Sequence, residues 1–184
     1  MPSDRDPNSK FARLRLRGFL GVLALAAAVA LLAGPAAAPS AADTRPSYMS
    51  PMEWSVLRNV NWVRRHFGLR QLRPDPGLTA AAKNHTQDMA QHFYYAHDSL
   101  NGGAWWARIR HYVNAKEVAE TLNYIVGPRS RRQEPKTIVR SWMASPPHRA
   151  ILLARGLRRI GIARQSKRRK GTPAFYTADY ASLH

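Results

Sequence analysis

The chain has 184 residues, with 29 Lys and Arg against 11 Asp and Glu, a formal charge of +18, and no cysteine. That length suits one domain and is short for two. Without thiols there are no disulfide staples, cysteine-ligated zinc sites, iron–sulfur clusters or thiol nucleophiles, so an exported domain of this composition rests on its core alone.

In chain order, "MPSDRDPNSKFARLRLR" is basic and polar, "GFLGVLALAAAVALLAG" is free of charge, and "PAAAPSAAD" is rich in small residues. Those are the three parts of a secretory signal. Cleavage after Ala42 fits, with Ser40 and Ala42 as the small residues. The uncharged run, Gly18 to Gly34, also reaches the minimum of about 17 residues for a bilayer span, so an uncleaved anchor is the other reading. Either one exports the domain. The division expected is residues 1–42 signal, 43–50 linker and 51–184 domain. The first 42 residues hold five basic and two acidic residues, so the remainder carries +15.

"PMEWSVLRNVNWVRRHFG" reads as a helix, with Met52, Val56, Val60, Val63 and Phe67 recurring every three to four residues, Pro51 in its first turn and Gly68 as its stop. "LRQLRPDPG" is a loop. A second helix runs from about Leu78 to His92, with Leu78, Ala81, Ala82, His85 and Met89 on one face, and "HDSLNGG" breaks it. "AWWARIRHYV" is a short third helix and "KEVAETLNYIVG" a strand. "PRSRRQEPK" reads as an exposed basic loop. "PKTIVRSWMAS" is a fourth helix with Ile138, Val139 and Trp142 inward. "PPHRAILL" is a short fifth, its prolines confined to the first turn. "RRIGIARQ" and "TPAFYTADYA" are strands joined by the basic tip "SKRRKG". Helices first, a strand in the middle and a terminal hairpin imply an α+β layered domain.

The segments "LRQLRPDPGLTAAAKNHTQDMAQHFYYAHDS", "VAETLNYIVG" and "IVRSWMASPPHRAILLARGLRRIGIA", in that order, resemble the CAP superfamily of cysteine-rich secretory, antigen 5 and pathogenesis-related class one proteins. The bacterial, cysteine-free branch is the nearest in pattern, over about Met52 to Tyr180. The resemblance implies a single-domain α–β–α sandwich with a central cleft lined by histidine and glutamate. The family's "F-x-x-H" histidine falls on His97. Its "G-E-N" glutamate falls on Glu120, with Ala119 and Thr121 in place of the flanking residues. Its "S-P-G-H-R" histidine falls on His148, with Pro147 for the glycine. A second glutamate found in many eukaryotic members is replaced here by Ser145.

By the same resemblance His97, Glu120 and His148 are the expected cleft residues and ligands of a divalent ion such as zinc, which suits two imidazoles and a carboxylate with a position left open. Asp98 either orients His97 from a second shell or serves its own turn. Ser145 is either a nucleophile near His148 or an N-cap for the fifth helix. His85 lies on an apolar face and reads as a hydrogen-bonded core histidine. Of Trp105 and Trp106, about 100° apart on a helix, one is expected in the core and the other at the cleft rim. Arg129 to Arg132 and Lys167 to Lys170 read as solvated loop charges.

The function these readings imply is an extracellular or cell-envelope binding module for a divalent ion or an anionic or lipid ligand, with no family-wide enzymatic activity. An anionic cell-wall polymer or lipid is the expected partner, with no specific nucleic-acid recognition. The alternative is a metal-dependent hydrolase of peptide or cell-wall amides, with Glu120 as general base. Neither an HExxH helix nor a G-x-S-x-G elbow is present to support it.

Overall fold

The computed structural model of the chain describes residues 44–127, 130, 132–166 and 173–183. The signal segment read in residues 1–42, Arg129 and Arg131 of the basic loop, and the hairpin tip at 167–172 lie outside the described residues. Among the described residues no helix is long and apolar enough to cross a membrane.

Among the described residues nine elements follow in order: α1 Pro51–His66, β1 Arg73–Pro74, α2 Pro76–His92, α3 Trp105–Tyr112, β2 Val118–Ile125, α4 Glu134–Ala144, α5 Pro146–Leu152, β3 Leu157–Ser166 and β4 Ala174–Ser182. The strands form one sheet in the order β1-β3-β4-β2. β4 pairs antiparallel with both β3 and β2, and β1 runs parallel to β3.

Alternation along β4 sets the layers, because successive side chains of a strand point to opposite faces. Tyr176, Ala178 and Tyr180 join Leu57 and Val60 of α1, Ile138 and Trp142 of α4 and Leu152 of α5 in the larger core. Phe175 and Ala181 face the other way, toward Met89 and Leu78 of α2 and Ile109 of α3. The result is the expected α–β–α sandwich in a single α+β domain. Gly161 on β3 lets α2 lie directly on the sheet, since a Cβ there would stand 2.1 Å from the backbone of Leu78 and Thr79.

Local signals explain the helix starts. Ser50 and Glu53 form a reciprocal capping box at α1. Asp75 caps α2 through the Leu78 amide at 2.9 Å, so that helix begins at Pro76 rather than Leu78. The stripe of α1 is wider than the expected one: Val56 and Val60 are buried and Met52 and Val63 pack on the core as expected, Trp54, Leu57 and Arg64 also point inward, and Phe67 follows the last turn and is 43% exposed. Arg64 is fully buried and donates to the carbonyls of Arg70, Leu152, Ala154 and Leu157. It thereby ties the ends of α1, α5 and β3 together.

Two expected loops contain structure. β1 is too short to leave a periodic signal, and Pro74 is tolerated there because the strand is at a sheet edge. Residues Glu134–Lys136 of the expected basic loop begin α4, and Glu134 is buried, accepting from Arg164 at 2.8 Å and from the Tyr176 hydroxyl.

Candidate functional site

α2 stops at His92 because Phe93 takes a left-handed conformation, φ 56° and ψ 45°, which costs a non-glycine residue about 1–2 kcal/mol. The turn sends residues 95–97 along the outer strand β2 in two rungs. The ring of Tyr95 packs edge-on against Tyr124, centroids 5.0 Å apart, and His97 Nδ1 lies 2.8 Å from Glu120 Oε1. Glu120 and Tyr124 fall on the same face of β2, four residues apart. Fully buried His85 secures the segment from below through Nε2 and the Ala96 carbonyl at 2.9 Å. Burial holds its imidazole below the usual pKa, so it is neutral.

A carboxylate only accepts, so His97 Nδ1 carries the proton and Nε2 is the nitrogen left to face outward. The His97 side chain is 47% exposed and that of Glu120 only 1%. The second carboxylate oxygen, Oε2, accepts from Arg108 Nη2. Arg108 comes from α3 and also reaches the His97 carbonyl at 3.2 Å and the Ser99 hydroxyl at 3.3 Å. It therefore fixes both the carboxylate and the loop carrying the imidazole. Trp105 tilts against His97 with centroids 6.5 Å apart and packs on the α2–α3 core. Trp106 is 47% exposed beneath the Arg110 guanidinium.

His148 enters from α5 and is half-buried. Burial first, and then the charge of His97, lower its pKa.

Asp179 lies beneath. It is the register partner of Glu120 across β2 and β4 and is fully buried. As a carboxylate it finds no donor. Burial, then the Glu120 charge, push its pKa well up, and as an acid it has Glu120 for an acceptor. Asp179, its pKa raised, thus lies beside a Glu120 whose oxygens are engaged by Arg108 and His97.

The remaining expectations resolve locally. Asp98 accepts from the Trp105 amide at 2.9 Å, which anchors the start of α3; the carboxylate on His97 is Glu120. Ser145 sits between α4 and α5, but its hydroxyl makes no capping hydrogen bond, and among the described residues it has none to His148. The N-cap role is carried only by its backbone, whose carbonyl accepts from Arg149 at 2.8 Å.

Among the described residues, no group of three His, Cys, Asp or Glu side chains is placed to hold a metal ion. Glu120 is unavailable as a third ligand because His97 and Arg108 take both its oxygens. What the donor set offers is two imidazoles, with Glu120 in the orienting position that carboxylates take behind metal-bound histidines. Arg108 and Asp179 were not singled out from sequence. Arg108 is one of three cations in its helix and neighbouring turn, with nothing to distinguish it. Asp179 did leave a signal, as the lone acidic residue of an otherwise apolar and hydroxyl-bearing strand.

Comparison with known proteins agrees with this architecture. Residues 57–180 match the family described as CAP, the cysteine-rich secretory protein family. The Bacillus subtilis (strain 168) protein YkwD is 28% identical over 118 residues, 64% of this chain and 44% of the relative. An extracellular protein containing an SCP domain from Bacillus anthracis superposes with a TM-score of 0.61 at 20% identity, over 76% of this chain and 45% of that one. An outer surface protein of Borrelia burgdorferi gives 0.60 at 19%, over 70% of this chain and 90% of that one. The chain spans less than half the length of the curated relatives it matches. A three-layer α+β domain is the class that the fold defines. This chain belongs to the CAP family.

Proposed function

We propose that the protein is an exported binding module whose cleft takes a divalent ion such as zinc through the ring nitrogens of His97 and His148. The observation that carries this reading is the 2.8 Å contact from His97 Nδ1 to Glu120 Oε1, which presents Nε2 outward as a free donor to an ion. Burial lowers the pKa of His148 and so favours the neutral form, the form in which an imidazole ligates. The remaining coordination positions are left to solvent or to an anionic ligand, which the excess of basic residues favours.

Hydrolysis is the weaker reading. A general base needs a free oxygen within reach of a water, and both oxygens of Glu120 are engaged. Export is supported by the signal-like first 42 residues and by the extracellular and outer-surface proteins among the structural neighbours. The test is proton NMR of the imidazoles during zinc addition. The His97 and His148 resonances should move together while that of buried His85 stays; if neither cleft histidine responds, the reading is wrong.

A further inference from the structure

Hollows over much of the surface are lined by cations: Arg45, Lys83 and Arg164 in one, Arg58 and Arg65 in another, Lys136 and Arg140 in a third. The hollow between the outer side of α2 and the turn at Ser99 to Asn101 is different. Among the described residues no lysine or arginine lines it, in a chain of charge +18. Its volume of about 510 Å3 lies within the roughly 300–1,000 Å3 of sites that take small organic ligands. The lining consists of hydrogen-bonding groups. Asn84, Gln87, Asp88 and Gln91 contribute from α2, at offsets that set them on one stripe of the helix. Asn84 and Gln87 are exposed, and neither side chain makes a hydrogen bond within the described residues. Each carboxamide therefore offers donors and an acceptor together.

The opposite wall is preset. Ser99 and Gly103 close the turn, the Ser99 amide donating to the Gly103 carbonyl at 2.9 Å, with Gly102 at φ 81° between them. Asn101 Oδ1 accepts from the Gly103 amide at 3.0 Å, which leaves its NH2 group to a ligand. The Ser99 hydroxyl accepts from Arg108 at 3.3 Å and keeps its own proton to donate. The one carboxylate is already balanced: Asp88 Oδ1 lies 2.8 Å from His92 Nδ1, and Oδ2 accepts from the Tyr94 hydroxyl. A carboxylate only accepts, so His92 Nδ1 carries the proton and Nε2 is left to a ligand. Leu100, the apolar side chain of the lining, is 60% exposed.

We propose that this hollow binds a neutral saccharide, its hydroxyls on Asn84, Gln87, Asn101 and Ser99 and the C–H face of one ring against Leu100. An anion would meet the Asp88 carboxylate with no cation in the lining to oppose it. A cation would find both Asp88 oxygens engaged. A purely apolar ligand would strip water from the carboxamides without replacing its hydrogen bonds. A sugar ring carries hydroxyls that both donate and accept around its edge and C–H groups on its faces, which is the mixture this lining presents. Side chains already held in place by the turn and by Asp88 lose little freedom on binding. The site uses neither cleft histidine and stands whether or not the cleft binds an ion.

The experiment is proton–nitrogen NMR of the side-chain amides of the full chain during addition of cellobiose and, separately, of diacetylchitobiose. Glucuronate serves as a charged sugar and glycerol as a plain polyol. Asn84→Ala/Gln87→Ala removes two exposed carboxamides and raises helix propensity, so α2 stays folded and binding is followed at Asn101. Gln165→Ala, an exposed carboxamide of a cationic hollow, is the control. At least one disaccharide is expected to shift the Asn84, Gln87 and Asn101 amides along one saturable curve. Binding should weaken at least about 10-fold in the double variant, stay unchanged in Gln165→Ala, and be much weaker with glucuronate or glycerol. Equal binding of glucuronate would mean that the lining does not select a neutral ligand, and an equal response to glycerol would reduce the effect to general hydration. Either result, no shift with both disaccharides, an unaffected double variant, or loss in Gln165→Ala instead would overturn the proposal.

Discussion

Glu120 and Asp179 face each other across the β2–β4 pairing, and only Glu120 is held by donors. The environments of the two carboxyls differ. Glu120 is paired with Arg108 and His97, whereas burial and then the neighbouring Glu120 push the pKa of Asp179 well up.

This difference has a sign that can be measured. The folded-state pKa of Asp179 lies above the 3.8 of an exposed aspartic acid, through burial first and Glu120 second. The folded state therefore holds a proton that the unfolded chain releases, and this contribution to stability falls as pH rises above about 3.8. Asp179→Asn keeps the shape and a donor toward Glu120. It should raise the melting temperature at pH 7, relieving a penalty on the order of 1–3 kcal/mol, and flatten the melting curve against pH between 4 and 8. A variant that melts below the parent throughout that range would refute the neutral acid.

Removing Arg108 should act in the opposite direction. Its side chain is 8% exposed and that of Glu120 1%, so Arg108→Met leaves a buried carboxylate without its cation. A loss of about 3–5 kcal/mol is expected in denaturant unfolding. Adding Glu120→Gln should recover part of it, because the two residues are coupled. Strictly additive losses would mean that the pair does not interact.

Two histidines set the acid limb. His85 and His148 both have folded pKa values below 6.5, each chiefly through burial. The unfolded chain takes up protons first, so their contribution is complete above about 6.5 and is lost as pH falls below it. Since Asp179 pulls the other way over part of this range, the clean measurement uses the Asp179→Asn background. Unfolding free energy there should drop from pH 7 to pH 5, and His148→Asn should drop less.

Gly161 tests the layer contact. A Cβ at this position meets the α2 backbone at 2.1 Å, and a backbone cannot rotate away as a side chain can. Gly161→Ala should cost more than the about 1–3 kcal/mol typical of overpacking, with α2 displaced from β3. A melting temperature within a few degrees of the parent would mean that the sheet and helix are not in this register.

The layers were legible because their signals are local and repeated. The 3.6-residue spacing of Leu78, Ala82, His85 and Met89 marked the buried face of α2 correctly. Phe67 was misplaced because periodicity says nothing about where a helix stops short of its last apolar residue. β1 was missed because two residues carry no period. Asp98 shows the limit for the site: its neighbour His97 is adjacent in sequence, yet the carboxylate that holds His97 lies 23 residues away on β2. Long-range pairing of this kind, Arg108 to Glu120 and Glu120 to Asp179 included, is decided by strand register and leaves no trace in spacing.

The central claim is that His97 and His148 together form a binding site, with Glu120 orienting the first of them. Calorimetric titration of the metal-stripped protein with zinc, beside His97→Ala, His148→Ala and Glu120→Gln, tests it most directly. The account predicts one-to-one binding that disappears in either histidine variant and weakens about 10–100-fold in Glu120→Gln, the usual effect of removing an orienting carboxylate. Binding that survives either histidine replacement, or no binding by the parent, would contradict it.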